Sequence, residues 1–218
     1  MKQSGKGREL SLIIDNLNSE GQGVARSGRD VYFVPGALVG EKVRVRMLER
    51  SKKIWHTQLL GIEGNESEAR RTPDCPHYQR CGGCDLQHMQ YDAQVLFKQS
   101  RVEREFGRQK VPVDSWAAPL TSEEWHYRRK ARLGVRFSKE QQKNFIGFRE
   151  AASSHLTDID RCIVLPDHPA LGWSEWRQVI NSLEAASLIT QIEPLLADSA
   201  LVFILRALKP LSGNDHQV

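Results

Sequence analysis

Four cysteines are all this 218-residue chain has, and none of its apolar runs approaches the roughly 20 residues that a bilayer-spanning helix needs. Its opening, Met1-Lys2-Gln3-Ser4-Gly5, leads into no apolar stretch of signal-peptide length. These absences point to a soluble cytoplasmic protein with no membrane contact, where thiols stay reduced and disulfides are not expected; it is expected to be a monomer. Internal repeats and long low-complexity segments are missing as well, while 39% hydrophobic content is enough for ordinary cores in one large or two small domains.

Three of the four cysteines share one stretch, Thr72-Pro73-Asp74-Cys75-Pro76-His77-Tyr78-Gln79-Arg80-Cys81-Gly82-Gly83-Cys84-Asp85-Leu86-Gln87-His88. Five and two residues separate Cys75, Cys81 and Cys84, so a compact loop can aim three thiolates at one centre. Cys162 follows after 77 intervening residues in Asp160-Arg161-Cys162-Ile163, and by completing the set it would tie the loop to a separately packed unit. Gly82 and Gly83 let the backbone turn tightly and bring N–H groups near sulfur. Free cysteines are often small buried hydrophobes, but Pro76, the two glycines and the polar neighbours do not read as a core strand. A cytosolic metal site is the favoured reading. Zinc and an iron-sulfur cluster both accept four cysteines, and spacing does not separate them; His77 and His88 are alternative zinc ligands that read rather as solvated loop residues.

Net charge is a modest +4 but unevenly placed. Residues 1–60 hold 11 cations against 6 acids and residues 98–150 hold 13 against 7, whereas 61–97 and 151–218 are net acidic. Two basic blocks flanking the cysteine loop point to a polyanion-facing surface.

Residues 10–62 read as five short strands, 10–15, 23–26, 31–34, 42–48 and 54–60, divided by Glu20-Gly21-Gln22-Gly23, Ser27-Gly28-Arg29-Asp30 and Pro35-Gly36. Short antiparallel strands need closure to remove their edges, so an OB-like barrel is expected. In Lys42-Val43-Arg44-Val45-Arg46, alternation places the valines on one face and Lys42, Arg44 and Arg46 on the other. Such a cationic strand is a platform for a nucleic-acid backbone. Residues 61–72 are polar and Glu-rich and read as a linker. Residues 91–108 carry apolar Val95, Leu96, Val102 and Phe106 with cations at Lys98, Arg101, Arg104 and Arg108, the pattern of an amphipathic helix.

The densest basic stretch is Trp125-His126-Tyr127-Arg128-Arg129-Lys130-Ala131-Arg132-Leu133-Gly134-Val135-Arg136-Phe137. From Lys130 onward it alternates as a half-buried strand does, with Ala131, Leu133, Val135 and Phe137 on one face and Lys130, Arg132 and Arg136 on the other. Residues 145–149 read as the return strand of a hairpin. Arg128, Arg129, Lys130 and Arg132, with Tyr127 beside them, can hold phosphates and stack on unpaired bases, as proteins that read single-stranded RNA do.

Taken together, Gly21-x-Gly23-Val24-Ala25, Phe33-Val34-Pro35-Gly36, the cysteine loop, Tyr127-Arg128-x-Lys130-Ala131-Arg132, Gly147-Phe148-Arg149 and Ile159-x2-Cys162 resemble the bacterial 23S ribosomal RNA uracil-5-methyltransferases of the RlmD (RumA) type. The likeness runs in collinear order from about residue 10 to the end, and the cysteine loop is its specific part. It implies a mixed fold: an all-β, OB-like TRAM barrel over 1–62, a linker and iron-sulfur loop over 63–90, and an α+β central RNA-binding domain over 91–218. It also implies a four-iron four-sulfur (4Fe-4S) cluster on Cys75, Cys81, Cys84 and Cys162, with 23S ribosomal RNA as partner. Methyl transfer from S-adenosylmethionine to uracil C5 belongs, in that family, to a further Rossmann-like domain. No Gly-rich turn with a following ribose-binding acid is found here, no cysteine has the family's Ser-Cys-Asn-Pro nucleophile context, and the polar end reads as a truncation. At Leu38-Val39-Gly40-Glu41 the family often has proline second, a departure expected to alter only a turn.

Two classes of function follow. One is the RNA-recognising, cluster-binding half of a uracil-C5 methyltransferase, inactive by itself because the thiolate that attacks C6 and the base that takes the C5 proton are not assigned within it. The other is a non-catalytic RNA-binding module with a structural metal site of four cysteines.

Overall fold

The computed structural model describes residues 5–151 and 153–218, so the first four residues of the expected barrel lie outside it. Two compact units emerge: one is the chain up to Asp74 with Asp85–Leu120, the other Cys75–Cys84 with Thr121–Val218. The cysteine loop folds with the second unit and the helix after it with the first, a grouping by packing that cuts across the segments 1–62, 63–90 and 91–218.

Six strands form the first unit's sheet: β1 (Glu9–Ile13), β2 (Asn16–Leu17), β3 (Gly23–Ser27), β4 (Asp30–Val34), β5 (Lys42–Ser51) and β6 (Ile54–Ile62), in the order β1-β5-β6-β4-β3-β2. Five stand where turn residues and alternation put them; β2, two residues long, is too short to register as a period-2 pattern. Only Ile14 and Asp15 separate β1 from β2 in sequence, yet these strands lie at opposite ends of the sheet, so the sheet curls. The alternation of β5 is realised, with Val43 and Val45 fully buried and Lys42, Arg44 and Arg46 outside. Leu12, Ile14, Tyr32, Val34, Met47 and Trp55 complete that core, each such side chain contributing roughly 1.5–3 kcal/mol by leaving water.

After β6 the Glu-rich stretch is pinned rather than loose. Glu41 is fully buried; its carboxylate accepts Arg70 Nε at 2.6 Å and Nη2 at 2.7 Å, and the N–H groups of Leu38 at 2.8 Å and Ser67 at 3.2 Å. Burial alone would raise this carboxyl, but the Arg70 guanidinium and the two N–H groups outweigh it and hold it below the usual range. Helix α1 (Tyr91–Arg108) then packs Ala93 and Phe97 on Leu38 and Met89. Of the apolar set expected on one face, Val95 is half-buried and Leu96, Val102 and Phe106 are exposed: Leu96 lies off the face that Ala93 and Phe97 pack, and Val102 and Phe106 lie past the first half of α1 that meets the apolar cluster. Gly21 at φ +78° makes room for it, since a Cβ there would fall 2.3 Å from Leu86 Cδ2.

The second unit carries an antiparallel sheet in the order β11-β10-β7-β8-β9, from β7 (Leu133–Ser138), β8 (Lys143–Arg149), β9 (Leu156–Asp158), β10 (Ile189–Leu196) and β11 (Leu201–Ala207). The β7–β8 hairpin is the one the sequence predicts. Helix α2 (Trp173–Ser182) covers it, burying Trp173 and Ile180 against Leu133, Ile146 and Ile192. Its Arg177 reaches Asp158 and Asp160, both at 3.0 Å. Among the described residues no helix is long and apolar enough to cross a membrane.

Candidate metal centre and cationic faces

Residues 75–84 fold back on the end of β8. Gly82 N–H donates to Arg149 O at 2.9 Å, Ala151 N–H donates to Arg80 O at 3.2 Å, and Arg80 pairs with Glu150 at 2.8 Å. A Cβ on Gly82 would come within 2.9 Å of Arg149 O, so this approach requires glycine. One residue on, Gly83 N–H points at Cys81 Sγ, 3.4 Å away. The sequence expectation of N–H groups brought near sulfur by these glycines is met at Gly83, whereas Gly82 turns its N–H to β8.

Cys162 lies between β9 and α2, its carbonyl accepts the Leu165 N–H at 3.1 Å, and the backbone N–H groups of Val164 and Leu165 hold back the rise of its thiol. Burial pushes the Cys81 and Cys162 thiols up; at Cys81 the charges of Cys84, Cys162 and Cys75 add to the rise, and at Cys162 that of Cys75 does. All four belong to the second unit, half-buried and not disulfide-bonded. Among the described residues no three His, Cys, Asp or Glu side chains draw together as a single-ion cage does. His77 is half-buried in the same loop. His88, read from sequence as solvated, is instead 2% exposed in the first unit; burial first, then the Arg70 charge, press its pKa to about 4, leaving a neutral imidazole.

The cationic residues divide into engaged and open ones. On β5, Lys42 reaches Glu63 at 3.8 Å and Arg46 meets Glu9 at 2.9 Å, while Arg44 has no ion pair among the described residues. In the second unit Tyr127, Arg128, Arg129, Lys130 and Arg132 are all exposed. Arg129 is held by Asp198 at 2.7 Å, and Arg132 shares the buried Glu193 with Arg206, at 3.1 and 2.6 Å. Arg128 and Lys130 have no ion pair among the described residues. Regular strand begins at Leu133 rather than Lys130, which makes only an isolated bridge to Leu195. Ala131, Leu133 and Val135 nevertheless point inward as alternation requires.

One link had no signal in the sequence. His126 N–H donates to Ile163 O and Arg128 N–H to Val164 O, both at 3.0 Å, and His126 Nδ1 lies 2.9 Å from Leu165 O. The cationic stretch hangs from the residues directly after Cys162, and the positive charge of Arg128 counters the rise at that thiol.

Residues 3–53 match the TRAM domain. The match takes in β1 to β5, and with them Lys42, Arg44 and Arg46. Over 208 residues the chain is 36% identical to the 23S rRNA (uracil(1939)-C(5))-methyltransferase RlmD of Shewanella sediminis (strain HAW-EB3), covering 95% of this chain and 47% of that protein. With the RlmD of Legionella pneumophila (strain Corby) it shares 38% over 205 residues, 93% of this chain and 46% of the other. Among solved structures, the Pyrococcus abyssi tRNA (uracil-54, C5)-methyltransferase in complex with S-adenosyl-L-homocysteine matches with a TM-score of 0.68 at 21% identity, over 95% of this chain and 48% of that one. That likeness is one of fold. The chain spans about half the length of the curated relatives it matches.

Proposed function

We propose that this chain is the RNA-recognising, iron-sulfur-binding part of an S-adenosylmethionine-dependent 23S ribosomal RNA uracil-C5 methyltransferase of the cytoplasm. The observation that carries the reading is the 36% identity over 208 residues to a 23S rRNA (uracil(1939)-C(5))-methyltransferase. In it the curled sheet is an OB-like TRAM barrel presenting Lys42, Arg44 and Arg46 to the RNA backbone, and the second unit presents Tyr127, Arg128, Arg129, Lys130 and Arg132.

Cys75, Cys81, Cys84 and Cys162 are its ligands for a four-iron cluster. Four thiols in one unit, with the Gly83 N–H turned on Cys81 and the N–H groups of Val164 and Leu165 holding back the rise at Cys162, suit a thiolate-bound centre. A cluster keeps its thiolates further apart than a single zinc ion does, so the four need not meet at one point. When bound it supplies a rigid cross-link between the loop and residues 162–165, and binding removes the thiol protons that burial otherwise retains.

Methyl transfer to uracil C5 needs a free thiolate, a base and a bound methyl donor in one pocket. The only thiols in these 218 residues are used here as ligands, so the 218 residues alone transfer no methyl groups. Anaerobic purification with iron, sulfide and zinc analysis tests the centre: brown protein with iron and sulfide is expected, and zinc without iron would replace this reading with a non-catalytic RNA-binding module. Tritiated S-adenosylmethionine with unmodified ribosomal RNA should give background counts; counts lost on replacing one cysteine at constant metal content would reassign that thiol to catalysis.

A further inference from the structure

Half-way along α1 its packed face changes chemistry. Ala93 and Phe97 lie against Leu38 and Met89, and Arg101, Arg104 and Arg108 continue that face at the three- and four-residue steps of a helix. The side that buries itself in the first turns is cationic in the last ones. Opposite stands the turn after β2, whose shape is fixed by Asn18: its Oδ1 accepts the N–H groups of Glu20 and Gln22, both at 2.9 Å. A cleft of about 780 Å³ opens between them, lined among others by Asn18, Lys98, Arg101, Arg104, Glu105 and Phe106.

The charges in this cleft are not balanced by the protein. Glu105 is the one acid in its lining, and it is taken by Arg108 at 2.8 Å and Gln109 at 3.1 Å. Lys98, Arg101 and Arg104 have no ion pair among the described residues; Arg104 Nε turns back to Ser100 O at 3.1 Å, and Arg101 leans over the Phe97 ring at 6.0 Å. Beside the cations Phe106 meets Trp116 edge-on at 5.4 Å, with both rings partly exposed. The volume suits a nucleotide-sized group. Cations in a row with aromatic rings beside them are what holds an unpaired strand, phosphates on the charges and bases on the rings. An acidic peptide would satisfy the cations and leave the ring pair without a role.

The geometry points to the cleft between α1 and the turn after β2 as a further RNA-backbone site, in which Lys98, Arg101 and Arg104 hold phosphates of a single-stranded segment and Phe106 supports a base. This rests on the reading of the chain as an RNA-recognising protein. The test uses the 218-residue protein with its metal centre intact, a labelled single-stranded oligouridylate, and polyglutamate as competitor. In Lys98→Gln/Arg101→Gln/Arg104→Gln the affinity should fall at least about tenfold at low salt. The slope of log affinity against log salt should fall by about 2, each lost phosphate contact on a single strand contributing about 0.7. Phe106→Ala should weaken binding about fivefold or more with the slope unchanged. The three positions are exposed, so the glutamine set keeps the fold, as the helical signal and unfolding midpoint will show. Wild-type protein that binds RNA, with a triple variant equal to it in affinity and slope, overturns the cleft alone. Wild-type protein with no salt-dependent RNA binding overturns the functional reading as well. Polyglutamate bound by the wild type and lost by the variant, with RNA affinity unchanged, assigns the cleft to an acidic protein instead.

Discussion

Replacing Arg70 by methionine strands a carboxylate in the first unit. Glu41 is fully buried and Arg70 nearly so, and the change removes the contacts at 2.6 and 2.7 Å together with a third bond, from Arg70 Nη2 to Gly36 O at 2.7 Å. Only the N–H groups of Leu38 and Ser67 remain on Glu41. Breaking a buried pair by removing one partner costs about 3–5 kcal/mol, which for a unit of this size lowers the melting midpoint by roughly 12–20 °C. Glu41→Leu combined with Arg70→Met should recover part of that loss, because no charge is then left without its partner. The pH dependence has a definite sign. Since the folded Glu41 carboxyl sits below its ordinary value of 4.5, the unfolded chain takes up its proton first as the solution is acidified. The pair's contribution is therefore complete above about pH 4.5 and lost as pH falls through the depressed folded value. Differential scanning calorimetry and urea titration of wild type, Arg70→Met and the double variant read all of this. A midpoint for Arg70→Met within 2 °C of wild type, or a double variant less stable than Arg70→Met, would refute the reasoning.

His88, held to about 4 by burial and then by Arg70, must be neutral in the fold, so acidification from about pH 6.5 to 4 should remove about 3 kcal/mol of stability. His88→Leu should flatten the stability profile in that window, and an unchanged profile would remove His88 from the titration. In the second unit, Arg128→Gln/Lys130→Gln should weaken RNA binding more than Arg129→Gln/Arg132→Gln, since Asp198 and Glu193 already hold the latter two cations; filter binding at several salt concentrations decides it, and the reverse order would show that those ion pairs open on binding. Cys162→Ser should release iron as readily as Cys84→Ser under anaerobic chelation, and retention of a full cluster by Cys162→Ser would take the fourth ligand elsewhere.

Where local rules decide, the fold was legible. Alternation in residues 42–46 and 131–135 placed every valine, leucine and cation on the side the structure gives it, because a period of two leaves no other choice once one face is buried. Helix α1 was legible in extent but not in orientation: Leu96, Val102 and Phe106 look like a buried stripe, yet packing on Leu38 and Met89 selects Ala93 and Phe97. Which face of a helix is used depends on what stands opposite, and that is tertiary information. The pinned Glu41 escaped for a related reason. Leu38-Val39-Gly40-Glu41 reads as an ordinary turn until Arg70, 29 residues on, is seen to close over it. In the candidate site type and spacing single out the loop cysteines, and the structure folds their loop with the unit that holds Cys162, whereas the backbone bonds joining residues 126–128 to 163–164 belong to irregular segments and have no periodicity to betray them.

On the proposed reading, those bonds give a physical reason for placing a metal centre in the unit that carries Arg128 and its neighbours. Residues 121–129 lie outside helix and strand, and His126 and Arg128 are fixed chiefly by reaching Ile163, Val164 and Leu165. Ordering one residue's backbone costs about 1–2 kcal/mol. If the stretch ordered only when RNA arrived, two or three residues' worth of that cost would come off the binding free energy, about a factor of ten in affinity for each 1.4 kcal/mol. A centre that clamps Cys162 to the 75–84 loop fixes residues 163–165 beforehand, and through them Arg128 and its neighbours. Charge alone does not need such a centre, as Arg44 on β5 shows, since β5 is already rigid by virtue of its two sheet neighbours. In the second unit Arg129 and Lys130 reach β10 through Leu196 N–H to Arg129 O at 2.8 Å and the bridge to Leu195, whereas Arg128 precedes these contacts and bonds to Val164 instead. On the proposed reading the thiolate centre therefore acts on RNA recognition through backbone order and leaves the β5 cations to their own sheet.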